Sequence, residues 1–205
     1  LARAIEKTLL QEAGGEFSCE LVIVDNDLKR SAENLVKEYQ AGSSRTIIYD
    51  CEPQQNISLA RNRAIHNSTG TLIAFIDDDE FPEPDWLYNL HKTLTDLDAD
   101  GVLGPVIPDY EGDPPGWLIK SGLCDRESFP TGTELKNSRY MRTGNVLFAR
   151  RILDDLDDPF LEEYGRSGGE DTAFFENRLR KGCRFFWCNE AAVKEVVAKE
   201  RQTLG

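Results

Sequence analysis

Three consecutive aspartates follow an apolar stretch, and their type and spacing are those of residues that can do chemistry. Asp77, Asp78 and Asp79 come directly after the run Thr71-Leu-Ile-Ala-Phe-Ile76, which has the composition of a buried strand. Crowded carboxylates repel one another at neutral pH, and a divalent cation with oxygen ligands relieves that repulsion. We expect a metal site for an anionic ligand at this strand end, with a solvated acidic loop as the alternative.

Acidic residues mark two other places along the chain. Asp25 closes the apolar run 19–24, and it would share a sheet edge with the aspartate triplet if the two strands are parallel neighbours. Glu170 and Asp171 follow a glycine pair at a predicted helix start, where the helix dipole favours carboxylates. Either of the two could instead be an N-cap.

Two arginines lie near the start of a predicted helix. Arg61 and Arg63 flank Asn62 there. Their planar, multi-donor groups could contact a phosphate, although each alone is as consistent with solvated surface.

The elements that must position these residues alternate between helices and strands. Ser58 is the predicted cap of the helix that carries Arg61, and segment 108–135 is expected to be an irregular surface connection. This alternation favours an α/β fold with a largely parallel sheet and helices on both faces. Helices are predicted at 1–13, 31–40, 59–67, 85–96 and 171–181, and strands at 19–24, 45–49, 71–76, 101–107, 141–149 and 184–188.

Composition excludes several classes of protein. The 205 residues carry a net charge of −13, which repels nucleic acid over most of the surface. No apolar run is long enough to span a bilayer, and no signal peptide is recognisable. The five cysteines form no CxxC pair, so we expect reduced thiols of a cytosolic protein. The chain opens in a helical pattern without Met, and we expect it to be a fragment of a longer protein.

Four ordered motifs resemble a known family. They lie within the segments 57–65, 70–87, 143–148 and 168–175, which read Ile-Ser-Leu-Ala-Arg-Asn-Arg-Ala-Ile, Gly-Thr-Leu-Ile-Ala-Phe-Ile-Asp-Asp-Asp-Glu-Phe-Pro-Glu-Pro-Asp-Trp-Leu, Thr-Gly-Asn-Val-Leu-Phe and Gly-Gly-Glu-Asp-Thr-Ala-Phe-Phe. The pattern is similar to the family 2 glycosyltransferases, in particular those of bacterial exopolysaccharide and lipopolysaccharide synthesis. It runs in the same order from about Leu21 to Arg201.

The resemblance implies a fold and a division of the chain. The fold is α/β of the GT-A type, with a Rossmann-like mixed, mostly parallel sheet and helices on both faces. Residues 1–205 would form a single catalytic domain, with about 1–107 as the nucleotide-sugar-binding half and about 108–205 as the acceptor-binding half.

The resemblance also implies residue roles. Asp171 would be the general base that deprotonates the acceptor hydroxyl, and Glu170 would hold the acceptor or the base. Asp79, together with Asp77, would bind Mn²⁺ or Mg²⁺. The donor-binding residues implied are Asp25 and Asn26 for the nucleotide base, Arg61 for a phosphate or a neighbouring carboxylate, Asp77 of the family's Asp-x-Asp pair, Asp78 for the sugar or ribose, and Asn145 on the acceptor side of the donor pocket.

The implied reaction is the transfer of one sugar, with inversion, from a nucleotide sugar. A UDP-sugar is the expected donor, and a carbohydrate or lipid-linked saccharide is the expected acceptor, in surface polysaccharide synthesis. The aromatic residues Trp117, Phe129 and Tyr140 could stack on the acceptor or belong to the core. The protein would be cytoplasmic, with at most peripheral association at the inner face of the plasma membrane and no nucleic acid partner.

Three departures from the family pattern are visible. The family's first strand, which contributes to the base pocket, has no counterpart within residues 1–205. Where many relatives place a metal-binding histidine, this chain has Glu195, which could ligate the metal or serve a structural role. The motif of processive synthases is absent, which favours single sugar transfer.

Two other functions compete with the transferase interpretation. A haloacid-dehalogenase-like, Mg²⁺-dependent phosphatase also uses an Asp-x-Asp pair after a strand. That family expects a small hydroxyl residue where this chain has Phe81. The second alternative is a sugar-binding or metal-binding module that keeps the fold without the chemistry.

Overall fold

The computed structural model of the protein describes residues 1–12 and 14–203. Helices and strands alternate through its first half. The helices are α1 Ala2–Leu9, α2 Glu33–Gly42, α3 Ile57–Asn67, α4 Trp86–Asp96, α5 Gly116–Ser121 and α6 Glu170–Arg180. The strands are β1 Leu21–Asp25, β2 Ile47–Cys51, β3 Leu72–Ile76, β4 Glu80–Pro82, β5 Gly101–Leu103, β6 Val106–Tyr110, β7 Glu134–Leu135, β8 Asn145–Ala149, β9 Phe185–Trp187 and β10 Val193–Val197.

The strands form three hydrogen-bonded groups. The largest has the order β3-β8-β5-β9-β7, the second is β4-β10-β6, and β1 pairs with β2 alone. Pairs β1–β2, β5–β9 and β6–β10 are parallel, whereas β3–β8, β5–β8, β7–β9 and β4–β10 are antiparallel. The mixed α/β fold is confirmed, but parallel pairs do not dominate in the described part of the chain, because β8 inserts antiparallel between β3 and β5.

Strand β8 is the centre of the molecule. All five of its residues are buried, and residues 146–148 alternate between two apolar clusters. Val146 and Phe148 pack on the side of α6, whose Phe174 belongs to the same cluster, and Leu147 packs on the side of α4. Such burial on both faces confirms the prediction of helices on either side of the sheet.

Several predicted elements differ from the observed ones. Helix α1 ends at Leu9 rather than at Ala13, which lies outside the described residues. Asn56, not Ser58, caps α3, because its side-chain oxygen accepts the backbone N–H groups of Ser58 and Leu59 at 3.0 and 3.2 Å. Strands β4 and β10 were not predicted. Their pairing is long-range, and Pro82 argues against a strand in the local sequence.

The predicted irregular connection 108–135 contains a short helix and a short strand. Helix α5 lies within it, and β7 ends it by pairing with β9. All five cysteines are free thiols, of which Cys51 and Cys188 are buried and the other three are partly buried.

Candidate active site

Arg61 connects two of the predicted motifs. It lies on α3, only 9% exposed. One of its guanidinium nitrogens donates to Glu170 Oε1, and the other lies 3.5 Å from Asp77 Oδ1. The aspartate triplet and the Glu-Asp motif, which are far apart in sequence, therefore meet at a single side chain.

The carboxylates after β3 are crowded. Burial raises the pKa of Asp77, partly offset by the charge of Arg61. Burial, together with the charges of Glu195 and Asp78, also raises the pKa of Asp79. Both shifts mean that negative charge is costly here, which a bound cation would relieve.

Glu80 is a site residue that the sequence analysis did not identify. It is 1% exposed, and burial, with the nearby charge of Asp77, raises its pKa to about 9. One of its oxygens accepts the backbone N–H of Asp77 at 3.3 Å. The only sequence signal was a fourth acidic residue after the triplet, which by itself does not distinguish a buried carboxyl from a solvated one.

Gly144 allows these carboxyl groups to approach the backbone of the Thr-Gly-Asn motif. A Cβ atom at this position would lie 2.6 Å from Glu80 Oε1 and 3.1 Å from Asp77 Oδ2. Its neighbour Thr143 has a buried hydroxyl without a hydrogen-bond partner in the described structure. The glycine of this motif therefore serves close packing against the acidic cluster.

Glu170 and Asp171 begin α6 but have different surroundings. The helix follows Gly168 and Gly169, whose φ angles of +80° and +99° suit glycine, and Gly169 is the N-cap. Neither carboxylate is thus the cap. Glu170 is buried against Arg61. Asp171 is partly exposed and accepts the N–H of its neighbour Thr172 at 2.7 Å, with no ion pair among the described residues. Its other carboxylate oxygen, Oδ2, accepts no hydrogen bond from the described residues.

The two residues predicted for the nucleotide base are already engaged by the protein. Asp25 accepts the backbone N–H groups of Asp27 and Ala32 and the hydroxyl of Tyr49 at 3.0 Å. Burial, with this bond, raises the pKa of Tyr49 to about 12. Asn26 uses its whole side-chain amide on the backbone of 52–56. Asn26 therefore stabilises the loop before α3. A contact of its side chain with a nucleotide base would have to break these hydrogen bonds.

Asn145, predicted to lie beside the acceptor, is also a structural residue. It is 2% exposed. Its nitrogen donates to the carbonyls of Pro105 and Ala191 at 3.0 and 2.7 Å, and its oxygen accepts Trp86 Nε1 at 2.8 Å. With all three bonds made within the protein, Asn145 joins three segments behind the site. Both N–H groups of its amide are thus used within the protein, although Asn145 also lines a cavity of about 290 Å³.

Glu195 lies beside Asp79 but is occupied by arginines. It stands opposite Glu80 in the β4–β10 pair, and it forms ion pairs with Arg126 and with Arg201, the latter at 3.3 Å. Arg201 also approaches Asp79 to 3.8 Å. Within residues 1–12 and 14–203, no group of three or more His, Cys, Asp or Glu side chains forms a metal cage.

Arg61 and the aspartate triplet line the larger of two cavities, and Asn145 and Arg126 line the smaller. The larger, about 1060 Å³, is lined at one end by Asp25, Arg61 and the aspartate triplet. The smaller, about 290 Å³, is lined by three arginines, two acidic residues and the side chains of Tyr140 and Trp187.

The three aromatic residues expected at the acceptor have different positions. Phe129 packs against the core, with its ring centroid 5.4 Å from that of Trp187. Tyr140 lines the smaller cavity. Trp117 is 36% exposed, on α5. Only Tyr140 therefore lies at an opening of the described structure that a ligand could enter.

The comparison with protein families agrees with this geometry. The model of the family described as Glycosyl transferase family 2 matches residues 1–156, which include the triplet and the Thr-Gly-Asn motif. The chain belongs to glycosyltransferase family 2. This membership, with α6 continuing the site beyond the matched residues, excludes the phosphatase alternative.

Two curated proteins are similar to this family 2 chain over most of its length. The chain is 36% identical over 187 residues to the succinoglycan biosynthesis protein ExoM of Rhizobium meliloti, covering 90% of the chain and 59% of the relative. It is 31% identical over 183 residues to the glucosyl-dolichyl phosphate glucuronosyltransferase of Haloferax volcanii, covering 85% and 51%. The chain thus spans between half and two thirds of the length of these relatives.

Solved structures with the same fold include those of TarS from S. aureus. TarS 1–349 in complex with UDP superposes with a TM-score of 0.71 at 17% identity, covering 97% of this chain and 57% of TarS. Its complex with UDP-GlcNAc gives 0.70 at 19% identity, covering 98% and 54%. At these identities the likeness establishes the fold, which is the predicted GT-A type.

Proposed function

We propose that the protein is a metal-dependent, inverting glycosyltransferase that moves one sugar from a nucleotide-sugar donor to a carbohydrate or lipid-linked acceptor. The observation that carries the proposal is the double contact of Arg61. It brings Asp77, from the expected donor side, and Glu170, from the expected base motif, to one buried guanidinium. Residues 1–107 and 108–205 would supply the donor and acceptor halves of this single domain.

The donor is proposed to be a UDP-sugar at the acidic end of the larger cavity. Asp25, Asp78 and Arg61 line that end. A related structure, TarS, binds UDP and UDP-GlcNAc, which supports a nucleotide sugar in this fold. Asp78 is exposed and free of protein ion pairs in the described chain, so it is available to a sugar or ribose hydroxyl.

The residues present fit a Mn²⁺ or Mg²⁺ ion that arrives with the donor. Mg²⁺ is commonly held by one or two carboxylates plus substrate phosphates rather than by an all-protein cage. Asp79 and Asp77 would be those carboxylates, and their raised pKa values mark the charge that needs neutralising. Bound there, the cation would stabilise negative charge on the leaving diphosphate as a Lewis acid. Glu195 is a less suitable ligand because two arginines already hold it.

Asp171 is proposed as the general base. Its carboxylate would take the proton of the acceptor hydroxyl as that oxygen attacks the anomeric carbon, a contribution of about 10²–10⁴-fold. A single displacement from the face opposite the leaving group inverts the anomeric centre. Glu170, fixed by Arg61, would keep the start of α6 in position against the donor site.

The acceptor is proposed to enter by the smaller cavity, where Tyr140 and three arginines offer stacking and hydrogen bonds. ExoM takes part in succinoglycan biosynthesis, and the H. volcanii relative acts on a dolichyl-phosphate-linked sugar, which supports a role in surface polysaccharide synthesis. Within the described residues no helix is both long and apolar enough to cross a membrane. Association with a lipid-linked acceptor would then be peripheral, at the inner face of the plasma membrane.

The test compares nucleotide release and donor binding. The protein is incubated with a panel of nucleotide sugars, Mn²⁺ and saccharide acceptors, and released nucleoside diphosphate is measured. We expect Asp171→Asn to lower turnover by about 10²-fold or more, because it removes the base, while Mn²⁺-dependent donor binding stays within about twofold. The matched control is Asp154→Asn, which changes an exposed aspartate of the same charge away from the site.

Three outcomes contradict the proposal in different ways. Equal loss of turnover and donor binding in Asp171→Asn would remove its role as base. Full activity after treatment with EDTA would remove the metal. Donor binding without release of diphosphate from any sugar nucleotide would favour the non-catalytic binding module.

A further inference from the structure

The segment that leads into α6, residues 160–170, is hydrogen-bonded along one side of α3. At its start, Asn62 of α3 donates to the carbonyl of Phe160 at 2.8 Å and accepts the N–H of Phe160 at 2.9 Å. At its end, Glu170 is held by its ion pair with α3. Because Asp171 is the next residue, the path of this segment along α3 decides where that carboxylate lies.

Asn56 holds the middle of the segment with one side chain. It is 4% exposed, and its Nδ2 donates to the carbonyl of Glu162 at 2.9 Å. Its neighbour Ile57 donates its backbone N–H to the carbonyl of Gly165 at 3.0 Å. These two bonds, which we call the Asn56 link, hold the short helical turn at Glu162–Tyr164 from both ends.

The contact between Asn56 and Gly165 is close. A Cβ atom at Gly165 would lie 1.6 Å from Oδ1 of Asn56 and 2.4 Å from its Cγ. The φ angle of Gly165 is −67°, which any residue adopts, so glycine is needed here for the close approach and not for the backbone conformation. The two residues are therefore packed tightly enough to fix the position of the segment.

Two exposed glycines, Gly168 and Gly169, lie between Gly165 and α6. Both have left-handed φ angles, and glycine has more conformational freedom than any other residue. Such a stretch keeps one path only when both of its ends are held. The position of the first turn of α6 therefore depends on Gly165 at one end as well as on Glu170 at the other.

Asn56 is also bonded to the wall of the larger cavity. Its backbone N–H donates to Oδ1 of Asn26 at 2.9 Å. Asn26 and Ile57 both line the cavity of about 1060 Å³ in which the donor is proposed to bind. Asn56 is thus joined to the cavity wall on one side and to the segment before Asp171 on the other.

We propose that Asn56 is a positioning residue of the transferase: it fixes the segment before α6 relative to the donor cavity and so determines where Asp171 lies beside the bound donor. A displacement of about 1 Å at a reacting group can lower a rate by about 10²-fold, so a buried amide can control turnover without contacting a ligand. The effect on turnover rests on the proposed function, whereas the Asn56 link itself does not.

The first variant breaks the Asn56 link without removing the cap of α3. In Asn56→Ser the hydroxyl oxygen can still accept the N–H groups at the start of α3, since serine and asparagine are equally good N-caps, but it is too short to donate to Glu162. The matched control is Asn67→Ser at the opposite end of the same helix. It removes a side-chain hydrogen bond of 2.8 Å to Asp50.

Hydrogen exchange followed by mass spectrometry measures the Asn56 link without any ligand. We expect the amides of residues 160–172 to exchange about tenfold faster in Asn56→Ser than in the wild type, because the segment opens locally more often. The amides of strand β8 should keep their wild-type rates. In Asn67→Ser, residues 160–172 should exchange as in the wild type.

Steady-state kinetics with a nucleotide sugar that the wild type uses separates positioning from donor binding. We expect kcat to fall about tenfold or more in Asn56→Ser while the KM for the donor stays within about twofold, because the donor-binding groups remain and Asp171 is displaced. Asn67→Ser should change neither quantity.

Gly165→Ala tests the same contact from the other side, because its methyl group would overlap Oδ1 of Asn56. We expect a similar fall in kcat. The double variant with Asn56→Ser should lose little more than either single variant, since both substitutions break one contact. Asn56→Ser is the milder change and decides the matter alone if Gly165→Ala does not fold.

The proposal is wrong if residues 160–172 exchange equally in Asn56→Ser, Asn67→Ser and the wild type, because Asn56 then does not hold the segment. A raised KM for the donor with an unchanged kcat would assign Asn56 to donor binding alone, and losses of kcat that multiply in the double variant would mean two independent effects. If the wild type releases no diphosphate from any nucleotide sugar, the proposed function fails, and the exchange rates still decide whether the Asn56 link exists.

Discussion

At the scale of single residues, Glu80 is a carboxyl group that folding keeps protonated. Its pKa rises from 4.5 to about 9 because burial removes water, with the charge of Asp77 adding to the effect. A neutral carboxyl can share a proton with a neighbouring carboxylate, so Glu80 limits the negative charge at the triplet when no cation is present. Its contribution to stability should therefore depend on pH.

The raised pKa predicts a loss of stability with rising pH. Between 4.5 and about 9 the unfolded chain releases the proton of Glu80 while the folded chain keeps it, so the stability of the fold falls as pH rises through this window. In EDTA, we expect the Tm of the protein to fall more from pH 6 to pH 9 than that of Glu80→Gln, which carries no such proton. Thermal denaturation followed by circular dichroism measures the difference.

The control for this experiment is Glu163→Gln, an exposed glutamate without ion pairs or side-chain hydrogen bonds in the described structure. It should follow the wild-type pH dependence. An identical pH dependence in Glu80→Gln and the wild type would show that Glu80 titrates normally.

Gly144 offers a steric test of the same cluster. In Gly144→Ala the new methyl group would meet Glu80 Oε1 at 2.6 Å and would force the buried carboxyl away from Asp77. We expect a loss of about 1–3 kcal/mol of stability from overpacking, together with weaker donor binding. Urea denaturation gives the first quantity and titration with a nucleotide sugar gives the second.

Gly116→Ala is the matched control, since a Cβ atom at that position meets nothing within 4 Å. Wild-type stability and donor binding in Gly144→Ala would mean that the acidic cluster adapts freely and is not held by the Thr-Gly-Asn backbone.

At the scale of elements, α6 depends on an anchor at the end opposite Glu170 and Asp171. Arg178 is 2% exposed and donates to the carbonyl of Ile152 and to Asp155, both at 2.5 Å. With Lys181, it lowers the pKa of Asp155 to about 2. This anchor fixes the helix against the segment after β8, and so fixes where its first turn, with Asp171, lies relative to the sheet.

Removing the anchor should destabilise the protein. Arg178→Met leaves the buried carbonyl of Ile152 without its donor, and we expect a cost of about 1–3 kcal/mol in urea denaturation. Arg180→Met is the control, because Arg180 pairs with Glu176 at the exposed helix surface, where such a pair contributes about 0.5 kcal/mol or less. Equal effects of the two substitutions would contradict an anchoring role.

At the scale of the whole molecule, the net charge determines whether a lipid surface attracts or repels the protein. The chain carries 24 basic and 37 acidic residues, a net charge of −13, so an anionic lipid surface repels it overall. The net charge therefore gives residues 1–205 no overall electrostatic attraction to such a surface.

The net negative charge predicts little binding of the protein to acidic lipid. We expect the 205-residue protein to stay in the supernatant with phosphatidylserine-containing vesicles, with no increase in binding as the salt concentration is lowered. Sedimentation with vesicles measures this, and neutral phosphatidylcholine vesicles are the control. Stronger binding to the acidic vesicles at low salt would reveal a basic surface that the net charge conceals.

The local sequence was sufficient to predict strand β3 and the start of helix α6, which hold most of the candidate site residues. Residues 71–76 followed by the triplet predicted β3 and its acidic end, and the glycine pair before Glu170 predicted the start of α6. These features depend on neighbours within one strand or one turn of helix. The order of four such motifs also indicated the family, which the family comparison confirmed.

Tertiary structure alone decided which polar groups remain available to a ligand. Asn26 and Asn145 resemble ligand-binding residues in sequence. In the structure, each side-chain amide is hydrogen-bonded to residues 26 or more positions away. The sequence around Glu80 does not indicate whether its carboxyl group is buried, and folding places it beside Gly144 with 1% exposure. Local sequence indicates helices, whose hydrogen bonds are short-range, and strands with a marked apolar pattern. Strand pairing such as that of β4 with β10, burial and the hydrogen-bond partners of polar side chains depend on which distant segments come together.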